Sequence, residues 1–377
     1  MIRRFRRTSC RPMGKAFWGL LASLLFFGDV SAKDWYPVEV DVWEPPFNAQ
    51  RLRRKATYIP LNQASQRWNI CVSIPHLKDS YWLAVNFGLV DEAKRLGINL
   101  AIYQAGGYER LDAQRIQIEE CLAEGFGGEM VDGLILSAID ANGLNDMVAD
   151  ITARGIPVLD LINGINSPDI AARAAVTYYD PAYKTGEYLK RLESETTRDV
   201  KVAWFPGPEG AAWSAEGDAG FKAALADSNI RIIATRMGDT GVATQKALLE
   251  DLLEGMGDDV AAQLDYVVGT TVSAEAAVAV LRRRGLDSDI KVLAYYYGSG
   301  VNRGIRRGSI IAAPTDATVV QARMAVDMMV RILERQPYFR HAAPQIKVIN
   351  QQSVNRWDSS TTLAPQGFRA MFEVGEN

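Results

Sequence analysis

Five short segments of this 377-residue chain hold nine aromatic residues beside polar groups: Lys78-Asp79-Ser80-Tyr81-Trp82, Ala105-Gly106-Gly107-Tyr108, Thr177-Tyr178-Tyr179-Asp180, Trp213 and Tyr295-Tyr296-Tyr297. Clustered ring faces attract a cation, each ring contributing roughly 0.5–2 kcal/mol, and cages for methylated ammonium groups are built this way. The same rings could stack on the apolar face of a sugar, with Asp79, Asp140, Asp160, Asn163 and Asp180 as candidates to hold its hydroxyls. Asp79 has two readings. It could N-cap the helix that follows, a role open equally to Ser80. As a ligand group it would balance a cationic nitrogen or, protonated in a desolvated pocket, donate to an oxide oxygen.

Signatures of catalysis are sparse. The chain has two histidines, His76 and His341, and lacks His-Glu-x-x-His, Cys-x-x-Cys, Gly-x-Ser-x-Gly and the phosphate-binding Gly-x-x-x-x-Gly-Lys-Ser/Thr loop. No catalytic residue, metal site or cofactor is expected; the competing catalytic reading is a secreted enzyme using Asp79 or Asp160 as acid or base. Gly298-Ser299-Gly300-Val301-Asn302-Arg303-Gly304 looks like a dinucleotide loop, but its third glycine comes one residue late, so it reads as a turn feeding a short basic helix. Arg282-Arg283-Arg284 reads as a solvated helix end whose cations complement the helix dipole.

The elements that must position these residues follow a regular alternation. Strands are expected over 69–74, 98–103, 131–136 and 156–162, with helices over 82–96, 111–124 and 142–154 between them. The alternation repeats, with strands over 200–205, 230–237, 264–269, 291–296 and 309–313 and helices over 181–193, 216–227, 242–254, 274–284 and 317–335. This order predicts parallel sheets covered on both faces, in two doubly wound lobes. Ligands of such sheets bind beyond the carboxyl ends of the strands, where the aromatic segments fall.

Ahead of this pattern, Arg3, Arg4, Arg6, Arg7, Arg11 and Lys15 precede an apolar run over 16–27 and the small-residue site Val30-Ser31-Ala32. That is the plan of a secretory signal peptide over 1–32, cleaved after Ala32. The run is too short to favour an uncleaved anchor, and the paired arginines fit a twin-arginine signal poorly. Residues 33–67, rich in proline and polar side chains, read as an extended lead-in. Removing residues 1–32, whose net charge is +5, turns the formal charge of −3 into −8, which disfavours a nucleic-acid partner. In an oxidising compartment the remaining Cys71 and Cys121 most simply form one structural disulfide.

The segments 77–82 and 105–108 resemble the TorT-like periplasmic binding proteins of trimethylamine N-oxide sensing systems, within the type 1 periplasmic binding protein family. Pro206-Gly207-Pro208, Ala274-Glu275-Ala276-Ala277, 303–308 and 363–369 extend that resemblance in order. It implies an α/β fold of two Rossmann-like lobes with parallel sheets joined by three crossovers: 68–165 plus 299–340 in the N-terminal lobe, 166–298 plus 341–377 in the C-terminal lobe. It further implies a non-enzymatic periplasmic sensor, a small-molecule ligand such as trimethylamine N-oxide, and a membrane sensor histidine kinase as partner. The family's ligand residues carry over to Asp79, Tyr81, Trp82, Tyr108, Tyr178 and Tyr296, with Tyr179 and Trp213 as possible additions; Cys71 and Cys121 stand where the family has cysteines. One departure is Thr177-Tyr178-Tyr179, in place of a Pro-Trp-Phe-like triplet. An ABC-transporter solute-binding protein for a sugar or amine is the alternative reading, with the same fold.

Overall fold

The computed structural model describes residues 34–44, 46–47 and 53–375; the expected signal peptide lies outside the described residues. In chain order the first elements are β1 (Val38–Trp43), β2 (Arg53–Tyr58), β3 (Asn69–Ile74), α1 (Ser80–Leu96), β4 (Asn99–Gln104), α2 (Leu111–Glu124), β5 (Gly133–Leu136), α3 (Asn145–Ala153), β6 (Val158–Leu161) and β7 (Ala172–Ala174). Next come α4 (Tyr179–Leu192), β8 (Val200–Phe205), α5 (Ala212–Leu225), β9 (Ile230–Thr235), α6 (Val242–Gly255), α7 (Val260–Gln263), β10 (Tyr266–Gly269), α8 (Thr271–Arg284) and β11 (Lys291–Ala294). The chain closes with α9 (Ser299–Arg307), β12 (Ala312–Thr315), α10 (Thr318–Leu333), β13 (His341–Pro344), β14 (Lys347–Asn350) and β15 (Glu373–Val374).

A nine-stranded sheet runs β15-β4-β3-β5-β6-β7-β13-β1-β2, and a four-stranded parallel sheet runs β11-β10-β8-β9, with β12 and β14 forming a separate antiparallel pair. Helices α1 and α10 lie on one face of the large sheet and α2 and α3 on the other; α4 and α5 pack together beside the small sheet, opposite α6 and α8. Both faces being covered, every residue of β3 is buried, and its sequence is a nearly unbroken apolar run. Cys71 on β3 is bonded to Cys121 on α2, closing a 50-residue separation. In the chain-entropy model such a link stabilises by about 4 kcal/mol.

Local sequence explains why α1 sits where it does. Asp79 Oδ1 accepts from Tyr81 N and Trp82 N, both at 3.0 Å, and Gly97 ends the helix in the left-handed conformation. Val85, Leu89, Ala93 and Leu96 form its buried face. Gly88 lets α10 approach, because a Cβ there would lie 2.5 Å from the Val319 carbonyl oxygen.

The expected lead-in proves to be part of the core. Residues 38–43 and 53–58 pair as an antiparallel hairpin on the large sheet, β1 against β13, and bury Val40, Val42, Trp43 and Tyr58. Prolines flank these strands rather than interrupt them, so composition concealed them. Strand pairing also differs from the expected division at 165/166 and 340/341. β7 and β13 pair in parallel through His341 with Arg173 and Ala342 with Ala174, which puts both in the large sheet, whereas α9 packs on α8 and β12 pairs with β14. Gly298 caps a helix that runs through the glycine-rich segment, so that segment is the helix itself.

Three short segments, 175–178, 316–317 and 345–346, carry the chain between the large sheet and the elements of the second lobe. The chain passes a fourth time through 351–372, and β15 pairs with the edge of β4. At the second crossover Ala317 has φ 53°, a left-handed conformation a non-glycine residue seldom adopts.

Candidate functional site

Between the two lobes, Asp79, Tyr81, Trp82, Tyr108, Asn163, Tyr178, Trp213, Thr240 and Tyr296 line one small, tightly closed cavity. The start of α1 supplies Asp79, Tyr81 and Trp82, and the loop after β4 supplies Tyr108. The first crossover contributes Tyr178, the second residue of α5 is Trp213, and Thr240 and Tyr296 follow β9 and β11. Each lies just past a strand end or at a helix start, where parallel sheets gather their loops. Tyr81, Trp82, Tyr178, Trp213 and Tyr296 are all at least 95% buried.

The rings meet mostly edge to face, an arrangement that directs different parts of each quadrupole inward. Tyr81 and Tyr296 lie 5.2 Å apart, Tyr178 and Trp213 5.7 Å, Tyr108 and Trp213 5.7 Å, and Trp213 and Tyr296 5.9 Å between centroids. Gly207 shapes one wall: with φ 122° it tolerates the Trp213 ring where a Cβ would come within 2.4 Å of it. The Trp213 Nε1–H is buried and has no hydrogen-bond partner among the described residues.

Asp79 takes the N-cap role expected of it, through one carboxylate oxygen, and stands at the cavity wall. Burial, chiefly, raises its pKa above the usual carboxylate range. Ser80 does not cap; its Oγ accepts from Ser299 N at the start of α9. His76 lies behind the rings, 5.6 Å from Tyr108 and 6.1 Å from Trp82. Burial lowers its pKa, so it is neutral; Nδ1 accepts from Lys78 N, and Nε2 bonds Thr240 Oγ1 at 2.9 Å.

At the hinge end, Tyr81 Oη donates to Asp316 Oδ2 at 2.6 Å and also shares a hydrogen bond with Tyr178 Oη. Burial raises both phenols well above the usual tyrosine value, so both keep their protons at neutral pH. Gln321 Nε2 donates to Asp316 Oδ2 at 2.9 Å, while its Oε1 accepts from Val176 N at 2.9 Å, joining two crossovers. Glu216 Oε2 accepts from Tyr178 N at 2.7 Å; burial pushes that carboxyl up to about 7.

Six of the expected ligand residues and Trp213 thus converge on one cavity. Tyr179 does not: its ring is partly exposed and stacks on Tyr183 at 5.8 Å, because it opens α4 on the outer side. Tyr295 and Tyr297 point elsewhere, Tyr295 packing on Trp204 and Tyr297 on Trp357. Of the polar candidates for a sugar, Asn163 lines the cavity, whereas Asp160 pairs with Arg173, Asp180 with Arg53, and Asp140 caps the turn at Asn142 and Gly143. Sequence reasoning missed Thr240, Asp316 and Gln321. The Thr315-Asp316 pair just past a strand end was the available signal for the second.

Two lobes on parallel sheets, short crossovers and a buried cage between them define a periplasmic binding protein. The chain belongs to that family, its periplasmic binding protein domain matching over residues 70–337, and the family points to the periplasm as its location. It is 33% identical to the periplasmic protein TorT of Escherichia coli K12 over 310 residues, 82% of this chain and 86% of that protein. A crystal structure of an ABC transporter solute-binding protein from Bradyrhizobium sp. BTAi1 with bound bis-tris is 43% identical, with a TM-score of 0.77, covering 91% of this chain and all of that one. The complex of the TorS sensor domain with TorT in the presence of TMAO, trimethylamine N-oxide, matches at 30% identity and a TM-score of 0.71, over 81% of this chain and 99% of that one.

Proposed function

We propose that the protein is a non-enzymatic periplasmic sensor that binds trimethylamine N-oxide or a related small methylated amine between its lobes and reports occupancy to a membrane sensor histidine kinase. The observation that carries this reading is the cage itself: six aromatic rings, five of them buried, and one carboxylate converging on one small cavity. The TorT relative supports the sensing role, and the amine bound to the Bradyrhizobium protein supports a cationic nitrogen in the cage. A ligand touching both lobes favours the closed arrangement and shifts the population toward it, which a kinase can read.

Isothermal titration of the mature protein against trimethylamine N-oxide, betaine, choline and ribose tests the ligand class. Heat with one or more of the methylated compounds supports the reading; heat with ribose alone overturns it. Sensing is tested by whether the periplasmic domain of a cognate kinase co-migrates with the protein on gel filtration. The second reading, delivery of a sugar or amine to an ABC transporter, is favoured by the Bradyrhizobium relative. Permease and ATPase genes beside this one would favour delivery, and a kinase gene would favour sensing.

A further inference from the structure

The hinge end of the cage holds an unusually complete set of acceptors. Asp316 is fully buried, and its Oδ2 accepts from Tyr81 Oη at 2.6 Å and Gln321 Nε2 at 2.9 Å, while Oδ1 accepts from Thr318 Oγ1 at 3.1 Å. The orientation of the Gln321 amide is fixed by chemistry: Val176 N–H must meet the carbonyl oxygen, so the NH₂ faces Asp316. A carboxylate receiving three donors acts as an acceptor.

Tyr81 and Tyr178 have one hydroxyl proton each. The Tyr81 proton goes to Asp316, because the reverse direction would set two lone pairs against each other at 2.6 Å. Tyr178 must then be the donor in its bond to Tyr81, with Asp316 Oδ2 a further acceptor at 3.4 Å. Both protons are taken up within the trio, and neither phenol has one left for a ligand.

We propose that Asp316 is a specificity-determining residue: by drawing the hydroxyl protons of Tyr81 and Tyr178 toward the hinge, it makes the cage favour a small cationic amine that donates an N–H or O–H over a ligand that can only accept. The inference rests on the reading of the cage as the ligand site and narrows it. An oxide oxygen is left to donors elsewhere in the wall, of which the unpartnered Trp213 Nε1–H is the clearest. Asp316 itself lies behind the wall and acts through the two tyrosines.

The test compares protonated trimethylamine with trimethylamine N-oxide at pH 7 by calorimetry on the mature protein, Asp316→Ala and Tyr178→Phe. The wild type is expected to bind the protonated amine at least about tenfold more tightly. Asp316→Ala removes the acceptor and frees the phenolic protons, and the affinity ratio should move toward the N-oxide by about tenfold. Tyr178→Phe removes one acceptor and should move the ratio the same way by about threefold, giving a second measure if Asp316→Ala does not fold. An N-oxide bound more tightly than the amine by the wild type overturns the proposal and leaves the cage reading intact. So does a ratio unchanged within twofold in the folded variants. Absence of binding by either compound overturns the cage reading together with this one.

Discussion

The cage has two polar ends that differ in kind. At the hinge, Asp316, Gln321, Tyr81 and Tyr178 are buried, and their hydrogen bonds link crossovers to α1 and α10. At the mouth, Lys78 Nζ pairs with Asp239 at 3.0 Å, His76 with Thr240, and Ser80 with Ser299 N, each bridging the two lobes. Lys78 is 41% exposed, Asp239 11%, and His76 and Thr240 are buried. A fully buried network is costly to leave half made, whereas water can take the place of the exposed Lys78 ammonium at less cost. Of the two ends, the hinge is therefore the costlier to disturb.

The sharpest way to break that contrast is at the hinge. Gln321→Ala leaves Val176 N–H and Asp316 short of partners and should destabilise the protein by about 3 kcal/mol. A urea titration checks this, and a loss under 1 kcal/mol would mean water replaces the amide and the hinge resembles the mouth.

A second, smaller effect concerns His341, which ties the first crossover to the β1–β2 hairpin. Its Nε2–H donates to Ala175 O at 3.1 Å, its Nδ1 accepts from Phe47 N, and its ring stacks on Trp43 at 4.0 Å. Burial, chiefly, lowers its pKa from 6.5 to about 3. The unfolded chain takes up a proton near pH 6.5 and the folded chain does not, so the stability due to neutral His341 is complete above 6.5 and declines as pH falls toward 3. Between pH 6.5 and 5 the loss should be about 2 kcal/mol. In His341→Gln that acid dependence should shrink; equal losses in variant and wild type would remove His341 from the account.

The smallest effect is expected at the mouth. Lys78→Ala should cost about 1 kcal/mol in stability, since the exposed Lys78 ammonium can be replaced by water at Asp239. Its mark should be a ligand affinity a few-fold weaker, fading as salt is raised. A loss of affinity that does not respond to salt would place Lys78 in the cage wall.

Much of this was legible in the residues. The alternation of apolar strand runs with helical spacing marked β3–β6 of the large sheet and β8–β11 of the small one, and α2 and β8 occupy the residues expected of them. Asp79-Ser80-Tyr81-Trp82 announced a helix start with rings beside it. The β1–β2 hairpin was not legible, because its partner β13 lies some 300 residues away and its own composition is that of a linker. Tyr179 and Tyr178 look alike as neighbours in a motif, yet one residue's step at the start of α4 separates the cavity from solvent.

By itself the sequence determined the alternating strands and helices from β3 to α10 and that aromatic rings gather at strand ends, because periodicity and capping are local. Only the tertiary structure decided which rings share a cavity, and that Asp316, 235 residues from Tyr81, orders their hydroxyls. The direction of a phenolic proton depends on the nearest acceptors in space, and chain order does not record them.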